Sequence, residues 1–174
     1  EFLEGTALHQ VLRREGAMPL DRFSRVASQV CDAMDAAHRK GIIHRDLKPE
    51  NVMVLTESGR EGRVKVLDFG IAHLRDAEAH DGGSITRAGT VVGTPAYMSP
   101  EQIDRRYGEV SPASDVYALG VIFFECLAGR RPFLGESELA LITQQLTMAP
   151  DPIAAHRPEL EDARLGELVA SMLE

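Results

Sequence analysis

Two short motifs joined by one apolar ribbon constrain this chain more than any other feature. The first is Ile42-Ile43-His44-Arg45-Asp46-Leu47-Lys48-Pro49-Glu50-Asn51 and the second is Val66-Leu67-Asp68-Phe69-Gly70. Between them run Val52-Met53-Val54-Leu55 and Val64-Lys65-Val66-Leu67, with Gly59 and Gly62 in the interval. Short β-branched runs separated by glycines predict a hairpin. Pro49 predicts that the stretch from Asp46 to Asn51 is not helical. Antiparallel pairing sets the start of one strand beside the end of its partner. Asp46, Lys48 and Asn51 on one side and Asp68 on the other are therefore expected at one mouth of the ribbon.

Two carboxylates and an amide oxygen suit a hard cation such as Mg2+, which usually bridges to substrate phosphates. A lysine in the same cluster suits a phosphate in transfer. A solvated polar hairpin would account for either motif alone, but not for both in this order and spacing.

The pair of motifs resembles the catalytic and metal-binding segments of eukaryotic-like protein kinases. The resemblance implies that Asp46 orients the substrate hydroxyl and accepts its proton. It implies that Lys48 neutralises the transferred γ-phosphoryl group of ATP and that Asn51 and Asp68 hold Mg2+. Lys48 also separates the chain from tyrosine kinases, whose loops usually read AAR or RAA here. HRDLKPEN together with GTPAYMSPEQ is most similar to bacterial Hanks-type serine/threonine kinases. The implied fold is α+β, with a mainly helical C-terminal lobe and a small β-hairpin.

Other stretches fit the same family. Glu1-Phe2-Leu3-Glu4-Gly5 resembles the hinge between the two kinase lobes, with Glu1 and Leu3 at the adenine-binding positions and Met53 also on the nucleotide. Residues 68–101 correspond to the activation segment, closed by Ser99-Pro100-Glu101 where the family usually has Ala-Pro-Glu. Within it, Thr94 is implied to contact Asp46 and Lys48 and to select Ser/Thr substrates. Thr86 and Thr90 are the candidate phosphorylation sites, with Arg45 as the partner of the added phosphate. His44, Phe69, Glu101 and Asp115 are implied structural supports, Asp115 through the backbone at His44 and Arg45. The arginine that pairs with the family's Ala-Pro-Glu glutamate has no match, so Glu101 is expected to lack that partner. No GxGxxG loop and no VAIK-type lysine occurs. Those belong to the N-terminal lobe, which is expected upstream of Glu1, and residues 1–174 alone are expected to be inactive. A kinase dimer for trans-autophosphorylation is an implied partner, besides protein substrates.

Helical periodicity supplies the frame. Thr6 is expected to cap a helix from Ala7 to Arg14 that Gly16 stops. After Pro19, Phe23, Val26, Ala27, Val30, Cys31, Met34 and Ala37 recur at intervals of three and four and predict one apolar face, ended by Gly41. His38, near that end, is expected to pack or cap. Val116 to Ala128 is apolar nearly all round and predicts a central buried helix beginning near Pro112. A further helix is expected over Glu136 to Met148, with Leu139, Ile142, Thr143 and Leu146 on one face, and another from Leu160 to Glu174.

Composition narrows the alternatives. The 174 residues suit one domain. A net charge of −8 argues against nucleic acid as a partner. Cys31 and Cys126 form no disulfide framework and the six histidines no metal-ligand spacing, which fits a reducing, cytoplasmic setting. The longest apolar run is too short to cross a bilayer, so a membrane anchor would lie outside these residues. The chain opens without Met or a signal-peptide pattern and reads as a piece of a longer protein. The competing readings are a pseudokinase or ATP-binding regulatory module and a small-molecule phosphotransferase. Intact Asp46, Lys48, Asn51 and Asp68 argue against the first, and the substrate-receiving GTPAY segment against the second.

Overall fold

The structure is a computed structural model describing residues 4–57, 60–69, 95–160 and 164–174. The described residues contain a three-stranded antiparallel sheet and six α-helices. In chain order these are β1 (Gly5–Ala7), α1 (Leu8–Glu15), α2 (Leu20–His38), β2 (Val52–Glu57), β3 (Arg60–Val66), α3 (Pro100–Ile103), α4 (Pro112–Ala128), α5 (Glu138–Thr147) and α6 (Arg164–Ser171).

The hairpin forms as its sequence pattern predicts, with Val52 opposite Val66 and Val54 opposite Val64. It gains a third strand that the pattern does not reveal. Gly5, Thr6 and Ala7 pair with Leu55, Val54 and Met53. Thr6 therefore lies in β1 and does not cap α1, whose N-terminal flank is Ala7 with no side-chain cap. Only glycine fits at the start of this strand: a Cβ on Gly5 would lie 2.6 Å from the Val54 carbonyl oxygen. Against the other side of the sheet, α2 presents Gln29, whose Oε1 accepts the Val64 amide N–H at 3.0 Å.

The periodic face of α2 is buried through Phe23, Val26, Val30, Met34 and Ala37. Each large side chain so removed from water contributes about 1.5–3 kcal/mol. Cys31 does not share that face and is exposed, because it falls one position past Val30 and the helix turns it outward. The helix α4 is the centre of the core. From Ser114 to Leu127 all but Val116 and Glu125 are buried. Ser111 caps it, accepting the Ala113 amide N–H at 3.2 Å. Phe123 meets Phe23 of α2 edge-on at 5.4 Å between ring centroids. Gly120 lets α6 approach, since a Cβ there would lie 2.9 Å from Met172 Cβ.

Two expected helices are displaced. In α5 the buried residues are Leu141, Ile142 and Gln145, while Leu139 is 73% exposed and Thr143 is exposed. The helix is rotated so that Leu141 joins Ala96 and Phe133 in a small second core and Gln145 faces residues 95–98. Of the helix expected from Leu160 to Glu174, Leu160 itself ends a 3-10 turn, Pro158–Leu160, Arg164–Ser171 is helical as α6, and residues 161–163 lie outside the described residues. Among the described residues no helix is long and apolar enough to cross a membrane.

Candidate active site

The mouth of the hairpin is closed by backbone bonds. Val52 pairs with Val66, and just beyond them the Leu67 N–H donates to the Asn51 carbonyl at 2.8 Å. Asn51 ends a 3-10 turn, Pro49–Asn51, in which Pro49 stands first. The expectation that Pro49 bars any helix is thus too strong, because at the first position of a turn its missing N–H has no partner to lose. The Asn51 side-chain amide donates from Nδ2 to the Asp46 carbonyl at 2.8 Å, closing the loop 46–51 on itself. Lys48 Nζ lies 2.8 Å from Asp46 Oδ2, with the two side chains 20% and 38% exposed. Asp46, Lys48 and Asn51 therefore form one contact network open to solvent on one side. Asp68 follows Leu67 directly and is exposed. No hydrogen bond joins its carboxylate to the other three.

Both acids of the site flank unusual backbone. Arg45 (φ 66°) and Asp68 (φ 55°) are the positive-φ non-glycine residues among those described. Each such conformation costs about 1–3 kcal/mol and persists only where the surroundings enforce it. Around Arg45 the enforcement is visible. Asp115, 1% exposed at the start of α4, accepts the His44 N–H on Oδ2 at 2.8 Å and the Arg45 N–H on Oδ1 at 2.9 Å. His38 Nε2 sits 2.7 Å from the same Oδ2, so this histidine pairs with the buried acid instead of capping α2. The imidazole of His44 is wholly buried. Its Nε2 donates to the Leu67 carbonyl at 2.9 Å, while Nδ1 faces the Asp46 N–H at 3.4 Å. The two bonds demand the tautomer protonated at Nε2. Phe69 packs against this ring at a tilt of 45°, with 4.8 Å between centroids. One histidine thus touches both motifs.

The segment before and within α3 is tied down from three sides. Gln145 donates from Nε2 to the Pro95 carbonyl at 3.0 Å and the Met98 carbonyl at 3.2 Å. The Tyr97 hydroxyl donates to Glu125 Oε2 at 2.7 Å. Burial pushes the Glu125 carboxyl above its ordinary range and, with the neighbouring Glu125 charge, pushes the Tyr97 phenol far up. Glu101 is not left without a partner: it accepts a hydrogen bond from the Ser114 hydroxyl. Gln102 spans from Ser99 to the Arg45 carbonyl, which its Nε2 reaches at 2.6 Å. Sequence reasoning missed Gln102 and Gln145. The Ser99-x-x-Gln102 spacing of a capping box was a readable signal for the first. The second carried none.

Glu1, Leu3, Thr86, Thr90 and Thr94 lie outside the described residues. Met53 is half-buried on β2, opposite Ala7 and Lys65. The guanidinium of Arg45 pairs with no carboxylate among the described residues. The donors at the hairpin mouth fit Mg2+ chemically. With Nδ2 of Asn51 spent on Asp46, its oxygen remains available, and the Asp68 carboxylate is exposed. Among the described residues no three His, Cys, Asp or Glu side chains cluster. Mg2+ needs no such cage, since it takes one or two carboxylates and fills its octahedron with water and phosphate oxygens.

Comparison with known proteins points the same way. Residues 1–174 match the sequence family described as protein kinase domain. The chain is 44% identical over 173 residues to serine/threonine-protein kinase pkn3 of Myxococcus xanthus, covering 99% of this chain and 30% of that protein. It is 49% identical over 157 residues to serine/threonine-protein kinase Pkn1 of the same organism, covering 90% and 22%. Against serine/threonine-protein kinase PknB of Mycobacterium tuberculosis it is 39% identical over 160 residues, covering 92% and 24%. The chain thus spans less than a third of the length of these relatives. With the family match running over the whole chain and the two motifs meeting at one hairpin mouth, the chain belongs to the protein kinase domain family.

Proposed function

We propose that this chain forms the hinge and C-terminal lobe of a serine/threonine protein kinase, with residues 1–5 as the hinge and residues 68–101 as the activation segment. The observation that carries the reading is the network of Asp46, Lys48 and Asn51 at the hairpin mouth, on a loop hung from the buried Asp115. In the reaction a Ser or Thr hydroxyl oxygen attacks the γ-phosphorus of ATP, the bond to the β-phosphate oxygen breaks, and ADP leaves. Asp46 orients the hydroxyl and takes its proton. Lys48, held 2.8 Å from Asp46, sets positive charge beside the group in flight. Catalysis of this kind is mostly positioning and electrostatics. Mg2+, held by Asn51 and Asp68, would neutralise the phosphate oxygens.

Further roles follow the same reading. Glu1 and Leu3 present backbone groups to adenine and Met53 lies along the nucleotide. Thr94 selects Ser/Thr substrates through Asp46 and Lys48, and phosphate on Thr86 or Thr90 is received by Arg45, by transfer between two kinase copies. The setting is cytoplasmic. The nucleotide cage needs an upper lobe that residues 1–174 do not include.

Labelled ATP and a protein substrate test the proposal on the complete polypeptide. Asp46→Asn should abolish transfer and leave folding intact, whereas transfer at the normal rate by that variant refutes the assignment. In the same assay residues 1–174 alone should turn over negligible ATP, and near-normal turnover would refute the lobe assignment.

A further inference from the structure

We propose that Gln102 is a positioning residue for phosphoryl transfer, tying α3 to the peptide that carries Asp46. The inference rests on the function proposed above. Three successive peptide groups set the direction of Asp46, and each is held from outside itself. The peptide before Arg45 gives its N–H to Asp115 at 2.9 Å. The peptide after Asp46 gives its carbonyl to Asn51 at 2.8 Å. The peptide between Arg45 and Asp46 is the strained one, since Arg45 sits at φ 66°. Among the described residues its N–H meets only His44 Nδ1 at 3.4 Å, a long contact. Its carbonyl accepts from Gln102 Nε2 at 2.6 Å, the shorter restraint by far. Turning that plane would swing the Asp46 carboxylate, and a displacement near 1 Å is about a hundredfold in rate for groups that must align.

The other end of the same side chain is committed to α3. Gln102 Oε1 accepts from the Ser99 N–H and the Ser99 hydroxyl, each at 3.2 Å. The amide cannot be reversed. The Arg45 carbonyl can only accept and the Ser99 N–H can only donate, so the network itself assigns which atom is nitrogen. Gln102 therefore performs two separable tasks, an acceptor's task on the helix start and a donor's task on the catalytic loop. A shift of α3, whose preceding residues 95–98 are gripped by Gln145, is passed directly to the peptide between Arg45 and Asp46 through this amide.

The separation supplies the test. Gln102→Glu keeps the acceptor and places a carboxylate in the first turn of α3, where capping and the helix dipole favour it. It removes the donor and sets negative charge against the Arg45 carbonyl. In the complete polypeptide, assayed with labelled ATP and a protein substrate, Q102E should melt within about 2 °C of wild type. Its kcat should fall roughly tenfold or more, with KM for ATP and for the protein substrate nearly unchanged. Gln102→Met, equally long and without polar atoms, should lose kcat to the same extent and serves if Q102E proves unstable. Ser99→Ala deletes the hydroxyl that caps α3 and touches Gln102 Oε1 but leaves the Gln102 donor on the Arg45 carbonyl, and should keep the wild-type kcat. Wild-type kcat in Q102E and Q102M overturns the proposal, as does an equal loss in S99A, which would make helix integrity the cause. If wild type itself transfers no phosphate to protein, the function proposed above fails instead.

Discussion

Removing the carboxylate of Asp115 is the most searching perturbation of this fold, because one buried side chain holds the backbone on which Asp46 rides. Its two oxygens take the N–H groups of His44 and Arg45 and the Nε2 of His38. Asp115→Ala leaves two peptide donors without partners, one of them on the fully buried His44. Each orphaned donor costs about 1–3 kcal/mol. Ala also spares the desolvation of a buried charge, which offsets part of that, so a net loss of about 2–4 kcal/mol follows. Asp115→Asn keeps the shape and one acceptor but turns an NH2 group toward a second donor, and should lose about half as much. The strained Arg45 would then relax, taking Asp46 out of line. Urea denaturation measures the stability change and labelled-ATP transfer measures the site. Both variants should lose transfer, and D115N should do so while remaining folded. An Asp115→Ala protein within about 0.5 kcal/mol of wild type, the range of an inconsequential surface change, would refute the reasoning.

Two further outcomes concern the core. Burial raises the Glu125 carboxyl above its unfolded value, so the folded state favours the protonated form. The stability this contributes is fully present below the ordinary carboxylate range and is lost as pH rises through the folded value. Glu125→Gln, which can still accept from Tyr97, should therefore be more stable than wild type at pH 8 and equal to it near pH 4, as thermal melts at the two pH values would read. A variant no more stable at pH 8 than at pH 4, relative to wild type, counts against a cost of holding the half-buried Glu125 carboxyl charged. Gly120→Ala adds a methyl 2.9 Å from Met172 Cβ and 3.0 Å from Leu173 Cδ2. Overpacking of that kind should cost about 1–3 kcal/mol in urea denaturation, and an unchanged midpoint would mean that α6 moves aside freely.

The reach of the sequence followed the strength of local pattern. The periodic face of α2 and the all-round apolar α4 were legible because many residues repeat one signal. The hairpin was legible from two β-branched runs and the glycines between them. β1 was not, since three residues carry no alternation and Gly5 is set by the close Val54 carbonyl. Cys31 and Leu139 were assigned to buried faces by spacing alone; Cys31 falls one position past Val30 at the edge of a face that is otherwise buried, and Leu139 is exposed because α5 is rotated about its axis. At the site, the motifs located Asp46, Lys48 and Asn51, whose contacts run along one short loop. The supports from Gln102 and Gln145 span 57, 50 and 47 residues, and only folding brings such groups together.

The bond from the Val64 amide to Gln29 has a consequence for how this protein meets its neighbours. Among the described residues the sheet ends on β1 and on β3, and an edge strand is a template on which a foreign strand can grow. On the β3 flank one amide is already taken by a side chain from α2, and the helix itself lies across the approach. Aggregation by strand addition is thereby discouraged on that side, and the charged residues Arg63 and Lys65 in the strand act in the same direction.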